Sequence, residues 1–167
     1  ISTPTAGTSN LKLGVNAGNV IASGGGFNVL LGDEAGTSLT TGDENVAVGY
    51  AALDAEDTGT GNVAIGRGAL SAQNADTNNY NTAVGYVAGG AVTSGVQNTL
   101  VGAFAGDALT DADFNVGLGY AALSSDTLGS RSVALGYAAL ATQNFTSATN
   151  VYNTAVGHAA GNLITTG

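Results

Sequence analysis

The sequence predicts an all-β fold, a parallel β-solenoid (β-roll) of about nine coils. The first observation behind this is a short frame that recurs along the chain: residues 81–85 (NTAVG) return as residues 98–102 (NTLVG). The second is the turn-forming Gly, Asn and Thr between the frames. The third is the short interval between frames, because helical repeats need about 33 residues or more. Valine-rich pentads bounded by turn residues indicate strands.

The full frame is Asn-x-x-aliphatic-Gly-x-x-Ala, and it recurs at nearly even intervals along the chain. The repeats begin at Asn10, Asn28, Asn45, Asn62, Asn81, Asn98, Asn115, Ser132 and Asn153. We number repeat positions from this leading residue. Position 5 is always glycine: Gly14, Gly32, Gly49, Gly66, Gly85, Gly102, Gly119, Gly136 and Gly157. Position 8 is always alanine: Ala17, Ala35, Ala52, Ala69, Ala88, Ala105, Ala122, Ala139 and Ala160.

Each repeat position has a predicted role, since identical positions of stacked coils lie above one another. The aliphatic residue at position 4 is expected to point into the coil, and the alanine to lie where the interior is narrowest. The glycine indicates either a positive φ or a close backbone approach. The asparagine is expected to tolerate a left-handed turn and to form an amide ladder. A second short strand is expected at segments such as residues 51–53 and 87–89.

A longer period of four coils overlies the single repeat. Repeats 4 and 8 are the long ones, and position 9 runs Gly, Gly, Leu, Leu along the chain. Their extra residues form loops that begin at Gln73 and Gln143 and end at Tyr80 and Tyr152. At ~4.8 Å per coil, nine coils give a rod about 43 Å long with the two loops about 19 Å apart.

The chain is predicted to be a lead-in segment, residues 1–9, followed by one repeat array, residues 10–167. With 44% hydrophobic residues, disorder is not expected. The net charge of −9, with only three Lys and Arg, argues against nucleic acid as a partner. No apolar run approaches the ~20 residues of a membrane span. There is no cysteine, and we see no signal peptide; we expect an excerpt of a longer protein.

The aromatic residues follow the frame and predict contact surfaces. Phe27, Tyr80, Phe114 and Tyr152 precede the leading asparagine, whereas Tyr50, Tyr86, Tyr120 and Tyr137 follow the glycine at position 6. Other repeats place Asp33, Arg67 or His158 at position 6, so this position is expected to face outward or toward a partner chain. The predicted contact residues are Tyr50, Tyr80, Tyr86, Tyr120, Tyr137, Tyr152, Gln73 and Gln143.

No catalytic, metal-binding or cofactor-binding residue is predicted, and the chain is not expected to be an enzyme. His158, the only histidine, is interpreted as a variant at position 6. Residues 117–122 (GLGYAA) match a loose dinucleotide-binding fingerprint, but they lie within the repeat frame, and we interpret the match as accidental. The acidic residues cluster in turns and are interpreted as solvated charge, with a calcium contact as the alternative.

The repeats resemble those of a known class of fibre proteins. Residues 81–86 (NTAVGY) and 132–140 (SVALGYAAL) resemble the "NTAVGY" repeats of phage tail fibres and bacterial surface proteins. They are also similar to the "SVAIG" coils of trimeric autotransporter adhesin heads, although those coils are shorter. The resemblance covers residues 10–167. It implies a left-handed β-roll, a homotrimer, no cofactor, and an extracellular place on a virion tail fibre or bacterial surface.

The function expected from this sequence is that of a structural and adhesive fibre segment. Its partners would be copies of itself, also end to end, and a cell-surface glycan or protein receptor. A glycan-binding solenoid is the alternative. A solenoidal enzyme is disfavoured because no active site stands out. Ice binding is disfavoured because the threonines at position 2 (Thr82, Thr99 and Thr154) give way to valine in most other repeats. The sequence leaves open whether coils close within one chain or three chains wind together.

Overall fold

The computed structural model describes residues 9–75 and 78–166, and in them nine three-residue strands form one parallel sheet. The strands are β1 (Leu11–Leu13), β2 (Val29–Leu31), β3 (Val46–Val48), β4 (Val63–Ile65), β5 (Thr82–Val84), β6 (Thr99–Val101), β7 (Val116–Leu118), β9 (Val133–Leu135) and β11 (Thr154–Val156). Two short strands, β8 (Gly129–Ser130) and β10 (Thr149–Asn150), pair in a second parallel sheet. The predicted lead-in segment lies outside the described residues except for Ser9.

The strands stack in sequence order, and identical repeat positions pair. Leu30 of β2 lies opposite Ala47 of β3, and Ala47 opposite Ala64 of β4, with the same register throughout. The prediction of an all-β parallel solenoid is confirmed, with nine strands joined by eight complete turns. Since consecutive strands of the same chain pair, each coil closes within one chain.

The glycine at position 5 satisfies both conditions that were predicted as alternatives. Its φ lies between +129° and +145° in all nine repeats. A Cβ atom on Gly119 would lie 2.3 Å from the carbonyl oxygen of Gly136 in the next coil. Any side chain here would therefore separate two coils as well as strain the backbone.

The leading asparagines form the predicted ladder in the coil interior. In seven successive pairs the backbone N–H of one leading residue donates to the side-chain oxygen of the asparagine one coil earlier, at 2.8–3.1 Å. The predicted left-handed turn lies one residue earlier, as at Tyr80 (φ 51°) and Phe114 (φ 60°). The leading asparagines themselves have no positive φ.

Within the described residues no strand forms at the segments predicted for it, such as residues 51–53 and 87–89, and the second sheet of β8 and β10 lies elsewhere in the coil. In residues 51–53, Ala51 and Leu53 have φ values of 51° and 53°, and strands require negative φ. The prediction was therefore wrong. The segment still stacks, because backbone hydrogen bonds join it to the next coil, for example from Leu53 N to Ala69 O at 3.0 Å.

The apolar interior is filled by positions 3, 8, 9 and 12, and not by position 4 as predicted. Leu30, Leu100 and the alanines at position 3 are buried, whereas Leu13 and Val156 at position 4 are 61% and 67% exposed. The prediction was wrong because position 4 was taken as the inward residue of the strand. Side chains alternate across a strand, and the asparagine at position 1 already points inward, which places positions 2 and 4 outside.

Leucine occupies position 3 or position 9 of a coil but never both, and in coils 1, 5 and 9 it occupies neither. A Cβ atom on Gly106 would lie 2.7 Å from Leu100, so coils with leucine at position 3 carry glycine at position 9. Coils with leucine at position 9, such as Leu123, carry alanine or glycine at position 3, such as Gly117. In the coils that have leucine, the two positions thus share one space, in keeping with close packing. Where both are small, as at Ala83 and Gly89, leucines of the neighbouring coils approach the glycine.

Candidate interaction surface

The outer face of the nine-stranded sheet is a continuous apolar strip, which we call the sheet face. It consists of positions 2 and 4 of every repeat, whose side chains point away from the coil interior. All of its residues are aliphatic except for three threonines, and none is charged. The sheet face comprises Leu11, Leu13, Val29, Leu31, Val46, Val48, Val63, Ile65, Thr82, Val84, Thr99, Val101, Val116, Leu118, Val133, Leu135, Thr154 and Val156.

The sheet face is large enough to serve as an interaction surface. Its two columns lie about 7 Å apart and run for about 38 Å, so with side-chain width the strip covers roughly 400 Å². The largest apolar patch on a typical monomer is about 300–600 Å² and is often functional. Ile65, Val101 and Leu118 near the middle of the rod are still 37–38% exposed. The strip therefore has the extent and the composition of an interaction surface.

One border of the sheet face is an unbroken stack of aromatic and cationic side chains, which we call the aromatic column. It runs through Tyr50, Arg67, Tyr86, Phe104, Tyr120, Tyr137 and His158. Neighbouring ring centroids are 4.9–5.8 Å apart, and the guanidinium of Arg67 lies 5.5 Å from the rings on either side. Phe104, at position 7, fills the gap that Ala103 leaves at position 6.

The predicted tyrosines of position 6 are exposed, as expected. Tyr120, Tyr137 and His158 stack with interplanar angles of 9°. Stacking of a sugar ring requires a free aromatic face, and Tyr137, which lies between Tyr120 and His158, has both of its faces covered. The aromatic column therefore stabilises the rod along its axis, by about 0.5–1.5 kcal/mol per pair.

Tyrosine hydroxyls of the aromatic column form hydrogen bonds with side chains of neighbouring coils. The hydroxyl of Tyr86 accepts a hydrogen bond from Arg67 at 3.2 Å. The pKa of Tyr50 is raised, chiefly by a hydrogen bond to the Glu34 carboxylate and by its negative charge. These contacts fix the rings in register with the coils.

The opposite border carries the aromatic residues that precede the leading asparagine. Tyr80 and Tyr152 are 52% and 67% exposed, as predicted for contact residues, and Phe27 is 62% exposed. Arg131 lies over the ring of Phe114 at 4.4 Å. Left-handed backbone at each of these aromatic residues turns the side chain away from the coil.

Gln73 and Gln143 are not surface residues. Both are fully buried at repeat position 12, so their prediction as contact residues was wrong. A glutamine in a loop-like stretch was expected to be solvated, but each amide here finds buried partners. Gln73 accepts a hydrogen bond from Asn81 at 2.7 Å, and Gln143 accepts one from Asn153 at 2.8 Å.

The turn acids connect coils. Asp113 accepts a hydrogen bond from the backbone N–H of Val96 at 2.8 Å, and Asp111 accepts one from the Ser94 hydroxyl at 2.6 Å. Across residues 9–75 and 78–166, no group of three or more His, Asp or Glu residues is placed to hold a metal ion. The same residues form no pocket and no helix that could cross a membrane.

Comparison with known proteins gives no relative from which a function could be transferred. No protein-family model, curated protein or solved structure matches the chain. A function must therefore be inferred from the sheet face, the aromatic column and the exposed tyrosines on the opposite border.

Proposed function

We propose that this chain is a structural and adhesive fibre segment whose rod associates with further copies of itself through the sheet face. The observation that carries the proposal is the uncharged apolar strip along the whole length of the rod. Burying it would remove roughly 400 Å² per copy from water, worth about 10 kcal/mol before the entropy of association is subtracted.

A second copy of the chain suits the sheet face better than an unrelated partner. The sheet face repeats at every strand, about every 4.8 Å. Only a surface with the same spacing can contact each strand in an equivalent way. Closed symmetry makes such self-complementary association common. The likeness to trimeric adhesin heads favours three copies, with a mass three times 16.1 kDa.

Solution mass tests this proposal. Light scattering is expected to give a trimer for the native chain and a monomer for V101K/L118K, because the two ammonium groups would be buried without partners. The matched control, T41K/S125K, adds the same charge at exposed residues outside the sheet face and is expected to stay trimeric. A monomeric native chain, or dissociation of the control alone, would contradict the proposal.

The adhesive part of the proposal places receptor contacts at Tyr80 and Tyr152. These tyrosines are among the most exposed aromatic side chains, and they recur in a four-coil period. We place the protein outside the cell, on a virion tail fibre or bacterial surface, with a glycan or protein receptor. Glycan-array binding that is lost in Y80A/Y152A and kept in Y120A would support a sugar receptor, whereas hydrolysis of an array glycan would indicate an enzyme.

A further inference from the structure

Repeat position 12 carries a pattern that neither the sheet face nor the aromatic column explains. It points into the coil and is apolar in five repeats: Ile21, Leu39, Val92, Leu109 and Ile164. In the other four repeats it holds an acid followed one coil later by a glutamine: Glu56 and Gln73, then Asp126 and Gln143. All four of these polar side chains are fully buried. Each glutamine belongs to one of the two long repeats.

Asp126 joins its own coil to the long coil above it. Its Oδ1 atom accepts hydrogen bonds from the backbone N–H of Gly129 at 3.1 Å and of Phe145 at 3.0 Å. Its Oδ2 atom accepts one from the side-chain amide of Gln143. Gln143 in turn donates to the Ser132 hydroxyl at 3.2 Å and accepts from Asn153. The Asp126 carboxylate thus fixes the start of the extra residues of repeat 8, at Gln143 and Phe145.

Glu56 makes a comparable set of hydrogen bonds in the preceding four-coil period, but with Asn79 and not with Gln73, whose side-chain amide donates to the Thr93 carbonyl at 2.7 Å. Its Oε1 atom accepts from the backbone N–H groups of Asp57 at 3.1 Å and Gly59 at 2.7 Å. The side-chain amide of Asn79 donates to Oε2 at 3.2 Å, and the backbone of Ala75 also hydrogen-bonds to the carboxylate. Ala75 and Asn79 flank the extra residues of the fourth repeat.

We infer that Glu56 and Asp126 are positioning residues that fix the extended corners of repeats 4 and 8, which begin at Gln73 and Gln143; Asp126 acts there together with Gln143, and Glu56 together with Asn79. The inference does not depend on whether the rod associates.

The physical reason is the supply of hydrogen-bond acceptors. In regular coils the corner N–H groups donate to the carbonyl one coil on, as Thr110 N does to Thr127 O at 2.9 Å. The extra residues of a long repeat disturb the pairing of these N–H groups with the carbonyls of the next coil, and a buried N–H without an acceptor costs free energy. Phe145 N instead donates to the carboxylate of Asp126. An aliphatic residue at position 12 offers no acceptor, which is why the acid appears only below an extended corner.

Hydrogen exchange on the whole chain tests the inference in D126L. The substitution copies Leu109, which lies one coil earlier beside Gly106; because coil 7 has Leu123 in place of that glycine, D126A, which removes the carboxylate without adding volume, is measured beside it and is expected to give the same result. The amides of residues 144–152 are expected to exchange at least about tenfold faster, since the anchoring bonds are charge-assisted. The Gly136 amide, which donates to the Leu118 carbonyl, and the amides of residues 73–75 are expected to be unchanged.

Two further variants make the test specific. In D126N the carbonyl oxygen can still accept from Gly129 and Phe145, but the new amide group faces the side-chain amide of Gln143, which is also a donor. Corner protection is therefore expected to lie between that of the native chain and that of D126L. E56L is expected to accelerate exchange at residues 73–75 and 78–80 and to leave residues 144–152 unaffected. Exchange that rises evenly along the rod in D126L and E56L, or a corner that keeps its protection in both, would overturn the inference.

Discussion

Exchanging the two interior positions of one coil tests the reciprocal packing of leucine and glycine. Leu100 is fully buried, and a Cβ atom on Gly106 would meet it at 2.7 Å. L100A alone is expected to cost about 2–5 kcal/mol of unfolding free energy through the cavity it leaves. G106L alone is expected to cost about 1–3 kcal/mol through overpacking. Left-handed backbone does not forbid leucine there, since Leu53 and Leu123 adopt a similar φ at position 9.

The double variant L100A/G106L gives coil 6 the residues that coil 3 has at these two positions, Ala47 and Leu53. The two changes compensate in part, although Leu109, whose Cδ1 would lie 2.8 Å from the Cβ atom of residue 106, still has to shift. The double variant is expected to be more stable than the sum of the single costs by about 1–3 kcal/mol, the range for residues in contact. Urea unfolding followed by circular dichroism, at constant m-value, measures this coupling. Strictly additive costs would refute the reciprocal packing.

Three further predictions concern the backbone, the buried acids and the aromatic column. G119A is expected to lower stability by at least about 3 kcal/mol, or to prevent folding, because both φ and the carbonyl of the next coil oppose a Cβ atom; a thermal melt like that of the native chain would contradict this. Burial raises the pKa of Glu56, and also that of Asp54 and Asp107. Protonation of these carboxyls therefore favours the folded state. This contribution to the free energy of unfolding is complete below the unfolded-state pKa of about 4, and it is lost as the pH rises through the higher folded-state pKa values. The melting temperature is therefore expected to fall less between pH 4 and pH 8 in E56Q than in the native chain, and equal slopes would count against the effect. Y137A is expected to cost about 1–3 kcal/mol, since it removes two stacking contacts, and circular dichroism melts with no shift would contradict the role of the aromatic column.

The repeat register could be predicted from the sequence because its determinants are local. Glycine at position 5 and alanine at position 8 recur without exception, and each has a steric cause that the sequence alone indicates. The asparagine ladder followed from the same argument, since stacked identical residues need partners of their own kind.

The inward and outward positions of the strand could not be assigned from the sequence in the same way. Val48, at position 4, and Ala47, at position 3, are both apolar, so hydrophobicity did not distinguish the interior from the sheet face. The reciprocal variation of positions 3 and 9 was a usable signal, because only residues that share a space compensate in size. The burial of Gln73 and Gln143 had a signal too, since most other repeats have an aliphatic residue at position 12.

Distances between paired spin labels test the in-register stacking of coils most directly. The chain has no cysteine, so S23C can be combined with S94C or D111C at exposed corners of coils 1, 5 and 6. Labelled chains would be diluted with unlabelled ones to remove distances between copies. Four and five coil spacings predict backbone separations of about 19 Å and about 24 Å. Separations that do not grow by about one strand spacing from the first pair to the second would contradict the stacked rod.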